Sequence, residues 1–216
     1  MGGRSIPFLP CSLASLLCWV WFVFTGVLPL AAKDYFVAPS GDDAAAGTQA
    51  APFATVQRAE KSAEPGDTVF ARGGIYRVTE AKLGGRAGAY ACFTLLEKSG
   101  LPGRRINYWA FPGARPVFDL ADFKPAGARF GAFRVNGSWL HLKGIEIVGV
   151  QVTIKAHTQS ICVDNEGSDN VYEQLSLHDG MAIGLWIGAG ANNLVLNCDA
   201  NPSSAVQKIR SLLIGY

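Results

Sequence analysis

Short runs of alternating apolar and polar residues recur through the second half of the chain. Corresponding positions repeat about every 23 to 30 residues, a period that indicates stacked coils. Each coil contains a first run, a turn with glycine, and a second run with apolar residues two or three positions apart. The first runs are Phe133-Arg134-Val135, Ile161-Cys162-Val163 and Leu185-Trp186-Ile187, and the second runs carry Leu142/Ile145/Ile147, Tyr172/Leu175/Leu177 and Val195/Cys198/Ala200.

These runs have the length of strands, and no helical period separates them. One such coil cannot bury its own apolar face, so it must stack on its neighbours. The pattern therefore predicts an all-β fold, a right-handed parallel β-helix (solenoid). In this fold Leu142, Tyr172 and Val195 should lie above one another inside the solenoid. The same register places Cys198 inward and Cys162 outward, which argues against a disulfide between them.

The period changes once, between Phe53 and Ala63, where apolar residues fall at helical spacing with polar residues between them. This segment predicts a short amino-terminal capping α-helix, because the first coil of a solenoid needs a cover with one polar face. Equivalent corners of the three later coils carry Gly144, Gln174 and Asn197. Gly and Asn tolerate a positive φ there, so we expect the Gln174 coil to turn by a different backbone route.

Residues 1–32 resemble an export signal, with Arg4 before a long apolar stretch and small residues at Ala31-Ala32. An uncleaved membrane anchor is the alternative, since the apolar stretch is near the minimum length for a span. We expect cleavage after Ala32 and hence a secreted protein, extracellular or periplasmic, with no membrane attachment. Three cysteines would then remain, and an odd, well-separated set does not indicate a disulfide framework.

The net charge of the 216-residue chain is only +2 at pH 7, and no cluster of Lys and Arg stands out. The composition therefore gives no reason to expect nucleic acid as a partner. The 49% content of hydrophobic residues is typical of a folded domain, and we expect a monomer.

Several short motifs occur in an order that resembles a known family. They are Tyr35-Phe36-Val37-Ala38-Pro39-Ser40-Gly41-Asp42-Asp43, Pro52-Phe53-Ala54-Thr55, Pro65-Gly66-Asp67-Thr68-Val69, Arg72-Gly73-Gly74-Ile75-Tyr76-Arg77, Ala110-Phe111-Pro112-Gly113-Ala114-Arg115-Pro116-Val117, Leu140-His141-Leu142-Lys143-Gly144 and Asn192-Asn193-Leu194-Val195-Leu196-Asn197-Cys198-Asp199-Ala200. Together they resemble the amino-terminal half of the pectate-lyase-like β-helix proteins of polysaccharide lyase family 9.

The resemblance implies a partial β-helix over residues 33–201. It also implies that complete relatives cleave acidic polysaccharide (polygalacturonate) by β-elimination with calcium as the cofactor. The family's calcium-binding aspartates and base lysine have no counterpart here, so we assign no catalytic or metal residue. Residues 202–216 form an atypical carboxy-terminal tail, and we expect a truncated or frame-shifted gene product that lacks the active centre. Val206, Ile209 and Leu213 lie near helical spacing and could cover the open end of the solenoid.

Three residues remain as candidates for binding sugar: Trp186, His178 and Asp199. Trp186 alternates outward, and an exposed indole can stack on a sugar ring. His178 precedes Asp179, whose carboxylate could orient the imidazole. Coil stacking or a covering loop is the alternative for Trp186, and a plain surface position is the alternative for His178. Solvated turn positions account for the other aspartates, such as Asp119, Asp122, Asp164 and Asp169.

Two further functions stay open beside a lyase. A non-catalytic β-helix that binds glycans or serves as a surface spacer would need no acidic cluster. A glycoside hydrolase or epimerase would need paired carboxylates at hydrolytic spacing, which the sequence does not show.

Overall fold

The computed structural model describes residues 2–3, 31–79, 82–152 and 160–201, and the backbone of 207–214. The predicted export signal lies almost wholly outside these residues. In the described part, no helix has the length and apolar character needed to cross a bilayer. The elements are β1 Asp34–Val37, α1 Val56–Ser62, β2 Thr68–Ala71, β3 Gly74–Arg77, β4 Gly85–Ala87, β5 Tyr90–Leu96, β6 Ile106–Ala110, β7 Pro116–Asp119, β8 Arg129–Val135, β9 Leu140–Lys143, β10 Glu146–Val148, β11 Ile161–Asn165, β12 Val171–Glu173, β13 Ser176–His178, β14 Ile183–Ile187, β15 Asn193–Asn201 and β16 Gln207–Ile214.

The strands form three walls that the chain visits in turn. The first wall contains β1, β2, β6, β9, β12 and the first half of β15, and the second wall contains β3, β7, β10, β13 and the second half of β15. The third wall contains β4, β5, β8, β11 and β14. Neighbours pair in parallel except for β4 with β5 and β15 with β16. This is the parallel β-helix that the sequence predicts, with one short helix.

Apolar side chains of successive coils form internal columns. On the first wall Tyr172 lies opposite both Leu142 and Val195, as predicted, and Leu142 lies opposite Tyr108. All four side chains are buried. Burial of a side chain of this size contributes roughly 1.5–3 kcal/mol, so the stacked columns supply the main stabilisation of the coils.

The predicted register on the third wall is wrong by two residues. Val163, rather than Ile161, lies opposite Phe133 and Leu185. The prediction that Cys162 faces outward is also wrong, because β11 is buried along its whole length and Cys162 belongs to the core. Alternation alone cannot place a residue in a strand that is covered on both sides. Cys198 is buried as predicted, and Cys92, Cys162 and Cys198 are free thiols.

The corners of the first wall share one backbone conformation. Gly144, Gln174 and Asn197 have φ values of 70°, 54° and 49°. The expectation of a different route at Gln174 is therefore wrong. The Gln174 amide donates to the Leu196 carbonyl of the next coil at 2.9 Å, so the coil-to-coil bonding continues through this corner. That bonding offsets a left-handed conformation that costs a non-glycine residue about 1–2 kcal/mol.

Helix α1 covers the first coil as predicted but starts at Val56 rather than Phe53. Thr55 caps it by accepting a hydrogen bond from the Arg58 amide, as its short polar side chain favours. Two of its polar residues bond to the backbone of β5 or of the residues directly after it. The Gln57 amide pairs with both backbone groups of Leu95, and buried Glu60 accepts from the amides of residues 97 and 98.

Three buried asparagines hold the turns that lead from the third wall to the first wall. Asn170 donates to the Gly137 carbonyl and to Asn165 Oδ1, and its own Oδ1 accepts from the Leu140 amide. The backbone N–H of Asn170 in turn donates to Asn193 Oδ1. Each side chain thus links two or three coils by satisfying backbone groups that the turn leaves unpaired.

The carboxy-terminal segment differs from the helical cover that its spacing suggests. Residues 207–214 form β16, which pairs antiparallel with β15 from Asn193 to Ala200. An open strand edge offers unpaired N–H and C=O groups, and pairing with them outweighs a weak helical period.

Candidate functional site

The outer face of the second wall carries two rows of side chains, because residues between the buried positions point away from the core. We call this surface the second-wall face. Its two rows, by strand register, are Ile75, Val117, Glu146, Ser176 and Asp199, and then Arg77, Asp119, Val148, His178 and Asn201.

A connected group of charged residues occupies the middle of this face. Glu146 is buried and forms an ion pair with the exposed Arg115, whose Nη2 donates to Oε1 at 2.7 Å. His178 Nε2 lies 3.1 Å from the same Glu146 oxygen. Its Nδ1 lies 2.9 Å from Asp179 Oδ2, as the sequence suggested. Both imidazole nitrogens therefore have carboxylate partners, so neither is free to act as a base.

A second group lies nearer the amino-terminal coils. Arg77 Nη1 is 3.6 Å from Asp119 and 3.7 Å from Asp122. Asp119 lies in β7 rather than in a loop, and it shares its wall face with His178. These carboxylates are partly neutralised by the guanidinium between them.

Asp199 lies in β15 opposite Ser176, on the same face as Glu146 and His178. One of its carboxylate oxygens, Oδ1, is buried and has no hydrogen-bond partner. A desolvated oxygen without a donor is costly, and its burial keeps this atom out of reach of a ligand. The structure thus brings together two of the three predicted residues, Asp199 and His178.

Trp186 lies elsewhere, on the outer side of the third wall, with 47% of its surface exposed. Its register neighbour Asp164 is buried and forms an ion pair with Arg134, which also contacts Glu166. The interpretation of Asp164 as a solvated turn residue is therefore wrong. Burial raises the pKa of this carboxyl above its usual range, against the opposing effect of Arg134.

Sequence reasoning missed Glu146 and Arg115, the centre of the second-wall face. A signal for Glu146 was present, since it stands alone between the apolar residues Ile145 and Ile147. A charged residue inside such a short run needs a partner, but the sequence does not show which one. Arg115 comes from the turn one coil earlier, and only the stacking of coils brings it within reach.

The described residues do not fit a calcium ion. Calcium needs six to eight oxygen ligands, several from clustered carboxylates. Within the described ranges, no three His, Cys, Asp or Glu side chains converge as a metal site would require. The carboxylates of the second-wall face instead have cationic partners, with Arg115 at Glu146 and Arg77 at Asp119 and Asp122.

The sequence that forms this β-helix matches the model of a known protein family. The model of the Pel9A-like, right-handed β-helix region matches residues 35–208. The chain belongs to this family. The match covers most of the chain, confirms the predicted resemblance, and establishes the hand of the solenoid.

The chain is similar to one curated lyase and to several solved structures. Pectate lyase PEL9 of Emericella nidulans is 27% identical over 185 residues, which are 84% of this chain and 42% of that protein. A rhamnogalacturonan lyase structure is 41% identical with a TM-score of 0.74, covering 78% of this chain and 41% of its own. Pectate lyase Pel9A, at 24% identity and a TM-score of 0.60, covers 79% and 40% and supports the fold alone. The chain spans about two fifths of each relative.

Proposed function

We propose that this Pel9A-like chain binds acidic polysaccharide of the pectic type along the second-wall face and is exported from the cell. The names of its relatives, a pectate lyase and a rhamnogalacturonan lyase, support this substrate class. The observation that carries the proposal is the arrangement of Arg115, Glu146 and His178 on an outer wall. The exposed guanidinium of Arg115 forms an ion pair with the buried carboxylate of Glu146, which holds it in position.

Binding, rather than bond cleavage, is the role that these residues support. A β-elimination needs a base to remove the proton next to a uronate carboxylate, and a cation to neutralise that carboxylate. Both nitrogens of His178 have carboxylate neighbours, and Glu146 is held by Arg115. Calcium would supply the neutralising charge in the complete lyases, but the described donors do not form its site.

The remaining candidates fit roles in contact with sugar. The free guanidinium edge of Arg115 can donate to a uronate carboxylate in a two-point geometry. The half-buried Asp199 carboxylate lies on the same face and can accept from a sugar hydroxyl, while exposed Trp186 offers a platform for the apolar side of a ring. Trp186 lies on a different wall, so it would contact a separate part of the polymer.

Titration of the purified chain with oligogalacturonates, followed by calorimetry, tests the proposal. We expect Arg115→Ala to weaken binding roughly tenfold, the loss of about one charge-assisted hydrogen bond, and His178→Ala to weaken it less, because the imidazole contacts Glu146 and Asp179 rather than the ligand. Arg104→Ala, which removes an exposed guanidinium from a turn outside the second-wall face, should leave the affinity within about twofold. Equal binding by the wild type and both second-wall variants would contradict the proposed surface.

The ultraviolet absorbance of unsaturated uronate separates binding from cleavage. With polygalacturonate and calcium present, we expect no rise in absorbance from this chain. A rise that disappears in His178→Ala would overturn the binding role and assign catalysis to the second-wall face.

A second candidate function is a β-helix that binds neutral glycan without any lyase activity. Trp186 favours it, because an exposed aromatic ring beside carboxylates suits an uncharged sugar better than a uronate. Preferential binding of neutral oligosaccharides, lost in Trp186→Ala, would support this second candidate over the first.

A further inference from the structure

A second charged surface lies at the amino-terminal end of the solenoid, beside helix α1. A cleft of about 290 Å³ opens between helix α1 and the segment that leads into β4. Its charged side chains are Asp43, Arg58, Lys61 and Lys82. We call this surface the basic cleft. Its volume is close to the lower limit for small-ligand sites, which is enough for about one sugar ring.

Among the described residues, no carboxylate forms an ion pair with the cations of the basic cleft, Arg58, Lys61 and Lys82. Lys61 is exposed and Lys82 is half-buried. Three cations around one concave surface raise the local positive potential and attract an anion.

The one carboxylate in the cleft has a structural role. Asp43 accepts hydrogen bonds from the amides of Ala54 and Thr55 at 2.8 and 2.9 Å, and from Thr55 Oγ1 at 2.8 Å. These bonds fix the loop before α1 and leave Asp43 little capacity to pair with a lysine. The cleft therefore keeps a net charge of about +2 from three cations and one carboxylate.

Arg58 is held in place at the base of this surface. Its Nε donates to the Asp43 carbonyl at 3.1 Å, and its guanidinium carbon lies 4.5 Å from the centre of the Phe53 ring. A guanidinium fixed in this way loses little conformational entropy when it binds a planar carboxylate. The two lysines can adapt around it, since their ammonium groups are point charges on flexible stems.

We infer that the basic cleft binds the carboxylate of a uronate residue, as a second contact for the polymer. This inference rests on the proposed function, because it takes acidic polysaccharide as the ligand. On the second-wall face carboxylates outnumber cations, so they repel a polymer that is itself negatively charged. The basic cleft attracts the same polymer more strongly. Two separated contacts with one polymer molecule increase the overall affinity.

The site can be tested with a trimer of galacturonate and, as the uncharged probe, a trimer of galactose. We expect Lys61→Gln and Lys82→Gln each to weaken galacturonate binding about three- to tenfold, more at low salt than at high salt. Lys124→Gln removes the same charge from an exposed position outside the basic cleft. It should change the affinity less than about twofold. Binding of the galactose trimer, if measurable, should be equal in all four proteins.

The outcomes separate this inference from the proposed function. Unchanged galacturonate binding in both cleft variants, with weaker binding in Arg115→Ala, would overturn the basic cleft alone. No galacturonate binding by the wild type would overturn both. Inorganic phosphate that displaces galacturonate from the cleft at equal concentration would show a general anion site and overturn the assignment to uronate. Matching circular dichroism spectra would confirm that each variant is folded.

Discussion

The outer faces of the first and second walls share the same strand geometry but differ in how their side chains are paired. On the first wall, aromatic residues pack on one another from coil to coil. Phe36 stacks on Phe70 at 5.6 Å, Phe70 meets Trp109 edge-on at 6.3 Å, and Trp109 meets His141 at 5.3 Å. On the second wall, charged residues such as Glu146, Asp119 and Asp199 stand among the outward positions, and Arg115 extends into solvent.

The difference shows which outer surface is available for a ligand. First-wall side chains pack much of their area on each other, and His141 and Lys143 both pair with Glu173, although the buried Trp109 Nε1 has no partner. On the second wall, the exposed guanidinium of Arg115 keeps donors that Glu146 does not use. We therefore expect changes on the first wall to affect stability and changes on the second-wall face to affect binding.

The largest expected effect is at the entrance to the first wall. Asn170→Ala should lower the free energy of unfolding by about 3 kcal/mol, because it leaves buried backbone groups of Gly137 and Leu140 without partners. Denaturant unfolding followed by circular dichroism measures this loss. Asn136→Ala changes an exposed asparagine one residue before Gly137 and should cost less than about 0.5 kcal/mol. Equal losses in the two variants would show that the buried asparagines do not join the coils.

The next largest difference in the free energy of unfolding is expected between two alanine variants, one from each outer face. Phe70→Ala should cost about 2 kcal/mol, because it removes ring contacts with Phe36, Trp109 and Phe111. Ile75→Ala, on the second-wall face, should cost less than about 0.5 kcal/mol because half of that side chain is already exposed. The same unfolding measurement serves both variants. A larger loss for Ile75→Ala would reverse the comparison.

The smallest expected effect is a dependence of first-wall stability on pH. The hydrogen bond from Lys143 holds the pKa of Glu173 below its ordinary 4.5. Burial holds the pKa of His141 below 6.5, against the pull of Glu173. The unfolded chain therefore takes up protons that the folded chain does not, first at His141 and then at Glu173. Stability should fall as the pH is lowered below about 6.5 and again below about 4.5.

The contribution of Glu173 should be under about 1 kcal/mol, since the carboxylate is partly solvated. Urea midpoints between pH 7.5 and pH 4 measure it. In Glu173→Gln the urea midpoint should depend less on pH below about 4.5. Glu97→Gln removes an exposed carboxylate and should leave the dependence as in the wild type. An unchanged profile in Glu173→Gln would assign the acid sensitivity to other groups.

The sequence predicted the parts of the fold that depend on local pattern. Apolar spacing located the coils, and the columns through Leu142, Tyr172 and Val195 follow directly from it. The pattern failed where tertiary bonding overrides local preference. Gln174 adopts a positive φ because the coils on either side continue their pairing through it, and Cys162 is buried because both sides of β11 are covered.

The candidate site was less accessible from sequence for a different reason. His178 and Asp179 are adjacent, so their contact could be anticipated. Glu146 and Arg115 lie one coil apart, and their contact depends on a register that alternation fixes only to within two residues. The sequence left open whether Trp186 is exposed or covered; the structure shows it 47% exposed, on a wall that could not be known before the corners were placed.

The antiparallel pairing of β16 with β15 has a consequence for self-association. Backbone groups of β15 from Asn193 to Ala200 already have partners in β16, so the open edge of the first two walls passes from β15 to β16, which pairs only with β15 among the described strands. On the third wall, β14 pairs only with β11 among the described strands. A second molecule that adds a strand at this end would therefore pair with β16 or with β14, and only pairing with β14 would bury the exposed Trp186 indole.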